Sequence, residues 1–183
     1  GDMAPVLMAM GAEVILSSRQ GDRRVHLDEF FLGYRQTALQ AGEILSSVEV
    51  PVLGPEWKVG AYKVSKRREL DISAVCAAFA LRLDGGGCVA EVRLCYGGMA
   101  ATTKRAQLTE EALLGQQWTQ ETVERVLPEL SNDFSPIDDQ RGSGWFRATL
   151  ARNLLIGFFL ETEGASFQSL PSRPSSTLVL AER

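Results

Sequence analysis

The feature that most constrains the fold of this chain is a pair of apolar, alternating segments joined by a run of glycines. Residues 73–83 and 88–96 each alternate with the period of two that a β-strand requires. The side chains that share one face are Val75, Phe79, Leu81 and Leu83 in the first segment and Val92, Leu94 and Tyr96 in the second. Asp84 and three glycines connect the segments, and glycine supplies the positive φ of a tight turn. The pattern predicts an antiparallel β-hairpin.

Further strand signals precede this hairpin. The predicted strands are residues 13–17, 23–27, 44–50 and 57–64. The first two flank a turn at residues 20–22, which indicates a second hairpin. Residues 44–50 alternate as a half-buried strand does, and Pro51 ends that strand because proline cannot donate to a ladder.

After Gly98 the apolar spacing becomes helical. Thr103, Thr119 and Ser143 are each placed to cap a helix, and Pro128 predicts a kink in the second one or its early end. The predicted buried stripe of the third helix is Phe146, Leu150, Leu154 and Phe158, with Arg147 and Arg152 off it. Strands come first and helices follow, which predicts an α+β fold with an antiparallel sheet packed against a small helical cluster.

The composition argues against several classes of function. A net charge of -4 over 183 residues does not suit nucleic-acid binding, which needs a surplus of basic residues. No apolar run approaches the roughly 20 residues that span a bilayer. Cys76, Cys88 and Cys95 lack CxxC spacing, so we predict buried, reduced thiols and a cytoplasmic location. No catalytic or metal-binding motif is present, and His26 is interpreted as a surface residue.

A cationic run at residues 63–68 has two interpretations. Charge runs are typical of solvated loops whose opposite charges pair, and acidic residues follow directly at Glu69 and Asp71. Alternatively, the lysines and arginines neutralise a phosphate or a reduced, anionic flavin. The glycine pair at residues 97–98 leaves a similar choice between tight backbone packing and close approach to a flat ring.

These segments occur in the order and spacing of a known family. The matching motifs are DMAPVL at residues 2–7, FFLGYRQT at 30–37, YKVSKRRELDI at 62–72 and YGGMA at 96–100. With them, the chain resembles the flavoprotein part of the molybdenum hydroxylases and is most similar to xanthine dehydrogenases. More broadly, it resembles the medium subunits of carbon monoxide dehydrogenase-type enzymes.

The resemblance implies a set of residues near FAD. These cofactor-binding residues are Asp2, Leu45, Lys63, Arg67, Arg68 and Asp71. The last three belong to a loop, residues 65–72, that borders the flavin ring in the family. The family often has two adjacent acids where this chain has Leu70 and Asp71, so one negative charge beside the ring is lost.

The resemblance also implies a place in electron transfer. The family passes electrons from a molybdenum centre through two [2Fe–2S] clusters to FAD and on to NAD, here during xanthine or hypoxanthine oxidation. The expected partners are a molybdopterin-binding subunit, an iron–sulfur domain and NAD, and neither nucleic acid nor a membrane is expected. Two alternatives stay open: the FAD subunit of a carbon monoxide, aldehyde or aromatic acyl-CoA oxidoreductase, and a non-catalytic subunit-interaction domain.

The expected organisation has three parts. Residues 1–53 are predicted to be a remnant of the FAD-binding lobe, residues 54–163 a C-terminal flavoprotein domain, and residues 164–183 a disordered tail rich in Ser and Pro. By the resemblance, the glycine-rich segments that hold the FAD diphosphate would lie before Gly1. We therefore expect this chain to fold, but to bind FAD weakly and to be inactive by itself.

Overall fold

The computed structural model describes residues 1–67 and 71–164. The strands are β1 (Glu13–Ser18), β2 (Gly21–His26), β3 (Phe31–Gly33), β4 (Gln36–Thr37), β5 (Ile44–Glu49), β6 (Trp57–Val64), β7 (Val75–Leu83), β8 (Val89–Gly97) and β9 (Lys104–Arg105). The helices are α1 (Met3–Ala9), α2 (Leu27–Phe30), α3 (Gln107–Leu113), α4 (Gln120–Val126), α5 (Leu130–Asp133) and α6 (Gly144–Thr162), and a 3-10 turn spans Leu127–Glu129.

The predicted hairpin lies at the centre of the main sheet. The sheet has the strand order β6-β7-β8-β9 and is antiparallel throughout, so the α+β architecture predicted from the sequence is confirmed. In the turn, the Asp84 carboxylate accepts hydrogen bonds from the backbone N–H groups of Gly86 and Cys88, each at 2.9 Å. Gly87 has a φ of 80°, the positive value for which glycine was expected there. A smaller sheet has the order β2-β1-β5, and β3 pairs with β4.

The central hairpin is buried on both faces, and the two faces differ in side-chain size. Phe79, Leu94 and Tyr96 point into a cluster that they share with α3 to α6. Ala78 and Ala80 point the other way, into a second cluster with Met8, Ala9 and Leu16 from the first part of the chain. Because small side chains occupy this second face, α1 lies directly against β7 and β8.

The first helix and the last strand differ from the sequence-based expectation. The sequence patterns predicted no helix before the first strand, whereas Met3–Ala9 form α1. Thr103 does not cap a helix, because Lys104 and Arg105 pair with β8 and α3 begins at Gln107. The buried Glu110 carboxylate fixes this arrangement by accepting from the backbone N–H of Leu94 at 2.7 Å and from Arg105.

The helix caps predicted from the sequence are confirmed at two positions. The Thr119 hydroxyl accepts from the N–H of Thr122 at 3.2 Å, and the Ser143 hydroxyl accepts from the N–H of Phe146 at 3.1 Å. Pro128 ends the regular helix as expected, because α4 stops at Val126 and a 3-10 turn follows.

The predicted buried stripe of α6 is correct at Phe158, while Leu150 and Leu154 are partly buried and Phe146 and Arg147 contradict it. The buried residues of this helix are Arg147, Ala151, Leu155, Phe158 and Phe159. Arg147 is 3% exposed, whereas Phe146 is 37% exposed. Apolar residues occur on most sides of α6, so their spacing did not identify the buried face. Arg147 lies inside because its guanidinium bonds to backbone carbonyl groups there.

Strand β5 exists, but it is exposed along its whole length and is not half-buried as predicted. It forms an edge of the small sheet, paired only with β1. Cys76 and Cys95 are buried free thiols as expected, while Cys88 is partly exposed. None of the described helices combines the length and the hydropathy that a membrane crossing needs. The tail predicted at residues 164–183 lies, apart from Gly164, outside the described residues.

The small face of the hairpin gives a stability prediction. Ala80→Leu adds three heavy atoms where Ala80 is fully buried against the first part of the chain, so we expect a loss of about 1–3 kcal/mol in the free energy of unfolding. Urea denaturation measures this loss. The same change at the exposed Ala61 of β6 is the control and should alter stability by less than about 0.5 kcal/mol. Equal effects at the two positions would contradict the close packing of α1.

Candidate functional site

A cavity of about 360 Å³ opens at the end of the central hairpin, where β7 begins and β8 ends. Its wall is formed by Gly1, Asp2, Tyr34, Ile72, Ser73, Cys76, Gly97, Gly98, Ala100, Ala101, Thr103, Ile137, Asp139, Arg141 and Arg147. The wall therefore combines the start of α1, the residues before β7, the glycine pair after β8 and the turn before α6. Asp2 is the only member of the predicted cofactor set among these lining residues.

Asp2 joins two other polar groups at the edge of this cavity. Its carboxylate accepts from the Lys63 ammonium at 2.7 Å and from the Ser73 hydroxyl at 2.7 Å. Lys63 also donates to the backbone carbonyl of Asp71 at 2.9 Å. The hydrogen bond from Lys63, followed by that from Ser73, holds the pKa of Asp2 below its ordinary value. The fold thus unites three of the predicted residues, although Asp2 and Lys63 lie far apart in the sequence.

Asp71 closes the β6–β7 loop (residues 65–74). Its carboxylate accepts from the backbone N–H of Arg67 at 3.0 Å and from its neighbour Ile72 at 2.9 Å. The Arg67 N–H is the main reason why the pKa of Asp71 lies below its ordinary value. The Arg67 side chain is 75% exposed and lies 3.8 Å from Asp71, so its charge faces solvent. Part of the cationic run is therefore paired locally, as the solvated-loop interpretation expects.

The described structure gives no support for a role of two other predicted residues. Leu45 lies on β5 of the small sheet and is 41% exposed. Arg68 lies outside the described residues. The involvement of both residues in cofactor binding stays a prediction that rests on the resemblance.

The glycine pair packs closely against the wall of the cavity. A β-carbon on Gly97 would lie 2.5 Å from the Cys76 sulfur. Gly98 has a φ of 83°, and a β-carbon there would collide with the Ala74 carbonyl oxygen. Burial, with the Asp2 charge nearby, raises the pKa of the Cys76 thiol to about 11, so this thiol stays protonated at neutral pH.

Sequence reasoning missed the residues on the opposite wall. Arg147 donates to the carbonyl oxygens of Ala74 and Gly98, the latter at 2.8 Å, and to the Asp139 carboxylate at 2.6 Å. Arg141 lies 3.6 Å from the same carboxylate. The sequence did contain a signal for Arg147, because it is an arginine among apolar neighbours in a predicted helix. The predicted apolar stripe of that helix did not include it.

The site has the chemistry of a binding surface. Among the described residues, no three His, Cys, Asp or Glu side chains are grouped to hold a metal ion. The single histidine, His26, is exposed on β2, 3.5 Å from Glu13. At the mouth of the cavity, Tyr34, Ile72 and Ile137 are 72%, 63% and 71% exposed, which offers an apolar rim to a flat ligand.

Two protein-family models match the chain. Residues 60–162 match the CO dehydrogenase flavoprotein C-terminal domain. Residues 1–53 match the FAD binding domain in molybdopterin dehydrogenase. The cavity receives residues from both matched ranges, with Asp2 and Tyr34 from the first part of the chain and Arg147 from the second.

Several characterised proteins are similar to this chain. It is 39% identical over 163 residues to a xanthine dehydrogenase/oxidase of Gallus gallus, a match that covers 87% of this chain and 12% of that protein. It is 37% identical over 164 residues to a nicotinate hydroxylase of Emericella nidulans, covering 86% and 12%. It is 34% identical over 160 residues to the glyceraldehyde dehydrogenase medium chain of Sulfolobus acidocaldarius, covering 87% and 56%. The chain thus spans between an eighth and about half of these relatives.

The fold is also similar to solved structures. A carbon monoxide dehydrogenase from Hydrogenophaga pseudoflava superposes with a TM-score of 0.77 at 28% identity, covering 85% of this chain and 53% of that one. Quinoline 2-oxidoreductase from Pseudomonas putida 86 superposes with a TM-score of 0.73 at 27% identity, covering 90% and 57%.

The Asp2 contacts give a pH prediction. Because the folded-state pKa of Asp2 is lowered from 3.8, its contacts stabilise the fold above that value and lose this effect as the pH falls through the lowered pKa. Asp2→Asn should therefore lower the melting temperature slightly at neutral pH. We expect less than about 1 kcal/mol because the ion pair is exposed. The difference should shrink progressively as the pH falls below about 4.

Thermal melts of both proteins between pH 7 and pH 3 measure this difference, with Asp22→Asn on the exposed strand β2 as the control. A constant difference across the whole range would show that Asp2 does not act through its charge.

Proposed function

The chain belongs to the CO dehydrogenase flavoprotein C-terminal domain family of the molybdenum hydroxylases, and on that premise we propose that it forms one side of their FAD site. The observation that carries the proposal is the meeting of Asp2, Lys63 and Ser73 beside a cavity to which both matched ranges contribute. The homologous proteins are oxidoreductases, so this chain belongs to an enzyme family.

The residues around the cavity fit the ring end of a flavin. About 360 Å³ lies at the lower end of the volumes of small-molecule sites, so the cavity suits part of a dinucleotide. Ala100, Ala101 and the glycine pair give a wall with little side-chain bulk. Bound there, FAD would supply two-electron redox chemistry between a reduced donor and an acceptor.

The side chains beside the cavity would set the charge around that ring. Lys63 is fixed by its two acceptors, Asp2 and the Asp71 carbonyl, while its side chain stays 43% exposed. A cation in a fixed position favours added electron density on a nearby ring. The negative charge of Asp2 offsets part of the positive charge of Lys63. The electrostatic field at the ring would therefore depend on whether these two side chains remain paired.

We extend the proposal to the reaction of the whole enzyme. Electrons would pass from iron–sulfur clusters through FAD to NAD during xanthine or hypoxanthine oxidation, with a molybdopterin-binding subunit as partner. The 39% identity to a xanthine dehydrogenase/oxidase supports this choice. The exposed apolar rim of Tyr34, Ile72 and Ile137 suits a second flat ring such as nicotinamide. Unpaired thiols at Cys76, Cys88 and Cys95 support a cytoplasmic location.

A second candidate keeps the flavin and changes the substrate. The identity to the glyceraldehyde dehydrogenase medium chain is 34% and that to the nicotinate hydroxylase is 37%, both near the 39% of the first candidate. Feeding purines and aldehydes in turn to the assembled native enzyme, and following NADH formation, distinguishes the two candidates.

The FAD site is tested with the purified chain. Titration with FAD, followed by quenching of flavin fluorescence, should give weak, saturable binding with a Kd of roughly 0.1–1 mM, because the chain offers only one side of the site. Lys63→Met should weaken binding about fivefold, the effect of losing about 1 kcal/mol from a half-exposed charge-assisted contact.

The matched control is Lys58→Met. Lys58 lies on the same strand and donates to the Thr162 carbonyl at 2.6 Å, away from the cavity, so this variant should bind FAD as the native chain does. Identical curves for Lys63→Met and the native chain, or no saturable binding at millimolar FAD, would contradict the proposed site. Tight, stoichiometric binding would instead contradict the expectation that further segments complete it.

A further inference from the structure

One buried guanidinium connects three segments that border the cavity. Arg147 lies in the first turns of α6 and is 3% exposed. It bonds the Ala74 carbonyl at the end of the β6–β7 loop and the Gly98 carbonyl after β8, the latter at 2.8 Å. Its other terminal nitrogen donates to the Asp139 carboxylate at 2.6 Å. A single charged group thus fixes the loop end, the glycine pair and the turn at residues 139–142 relative to one another.

The backbone at Gly98 makes this convergence possible. Its positive φ turns the Gly98 carbonyl toward Arg147, and the missing β-carbon leaves room for the Ala74 carbonyl. A planar guanidinium presents several N–H groups in a fixed geometry, so it can bond two carbonyl oxygens and a carboxylate together. An ammonium group, as a compact point charge, cannot reproduce that arrangement.

The same turn receives a second contact from the loop. Lys66 donates to the Gln140 carbonyl at 2.6 Å. Asp139 is itself held by the backbone N–H groups of Arg141 at 2.7 Å and Gly142 at 3.2 Å. The β6–β7 loop is therefore attached to the turn near both of its ends, directly through Lys66 and through Arg147 at Ala74.

Burying the charge of Arg147 costs free energy, and filling space in the core does not explain why an arginine occupies this position. Its neighbours on the buried face, Ala151 and Leu155, are apolar, and an apolar side chain would avoid the desolvation of a charge. Within the described residues, its Nε–H is buried without an acceptor, which adds to that cost. Every hydrogen bond that Arg147 makes through its guanidinium goes to a segment bordering the cavity.

We propose that Arg147, together with Asp139, is a positioning residue that holds the described ends of the β6–β7 loop (residues 65–67 and 71–74) beside the cavity and so fixes where Lys63 and Arg67 lie. The identity of the ligand, FAD, rests on the proposed function. The effect of Arg147 on the loop does not depend on that identity. Loss of the guanidinium should free the Ala74 end of the loop and displace the Asp71 carbonyl that Lys63 contacts.

The test combines loop cleavage with FAD titration. The loop contains three adjacent trypsin sites at residues 66–68, and mass spectrometry measures the cleavage rate there in the folded chain. Arg147→Met should raise this rate about tenfold, equivalent to about 1.4 kcal/mol of local opening, and should weaken FAD binding. Arg147→Lys should restore part of both effects, and Asp139→Asn should raise the cleavage rate by a smaller factor.

The control is Leu81→Ala, which perturbs the buried core at the end of β7 that lies away from the cavity. If it destabilises the chain as much as Arg147→Met without faster loop cleavage, the effect of Arg147 is specific to the loop. Unchanged cleavage in both Arg147→Met and Asp139→Asn would overturn the inference. If Arg147→Met does not fold, Asp139→Asn decides alone. If the native chain does not bind FAD, the proposed function fails, while the cleavage rates still decide the role of Arg147.

Discussion

The two-sided burial of the β7–β8 hairpin is the constraint on which the rest of the molecule depends. A strand alternates its side chains between two faces, and here one face carries Phe79, Leu94 and Tyr96 while the other carries Ala78 and Ala80. The large face is covered by helices and the small face by α1. Residues from both halves of the chain can therefore meet where β7 begins and β8 ends. The cavity lies at that end, and its wall takes residues from both halves of the chain.

Local elements were predictable where all the residues that determine a turn, a cap or a helix break lie within one short segment. The hairpin turn at Asp84, the cap at Ser143 and the break at Pro128 depend on residues within a few positions of each other. The α1 helix was missed because it is short and its N-cap residue does not act locally: the Asp2 carboxylate bonds Lys63 and Ser73 and makes no side-chain cap. The burial of Arg147 was missed because its carbonyl partners come from residues 74 and 98, which spacing along α6 cannot reveal.

The candidate site shows a different limit of sequence reasoning. The resemblance selected Asp2, Lys63 and Asp71 together, and the fold brings these three into contact. Composition alone favoured a solvated charge run, and the exposed Arg67 agrees with that interpretation. The two interpretations apply to different residues. Lys63 lies near the end of strand β6, whereas Arg67 lies in the loop that follows it. Neither the resemblance nor the charge pattern pointed to Asp139 or Arg141, whose positions depend on the turn before α6.

The contacts of Asp2 with Lys63 and Ser73 couple binding to assembly. Asp2 precedes α1, whereas Lys63 lies on β6 and Ser73 lies just before β7, one of the strands on which α1 packs. A ligand that touches both sides binds only the docked arrangement, so by mass action it shifts the balance between docked and separated parts. The free energy of docking and the free energy of binding are then linked quantities. Any change that loosens α1 from β7 and β8, however far from the cavity, should lower the affinity for that ligand by the same factor by which it lowers the docked population.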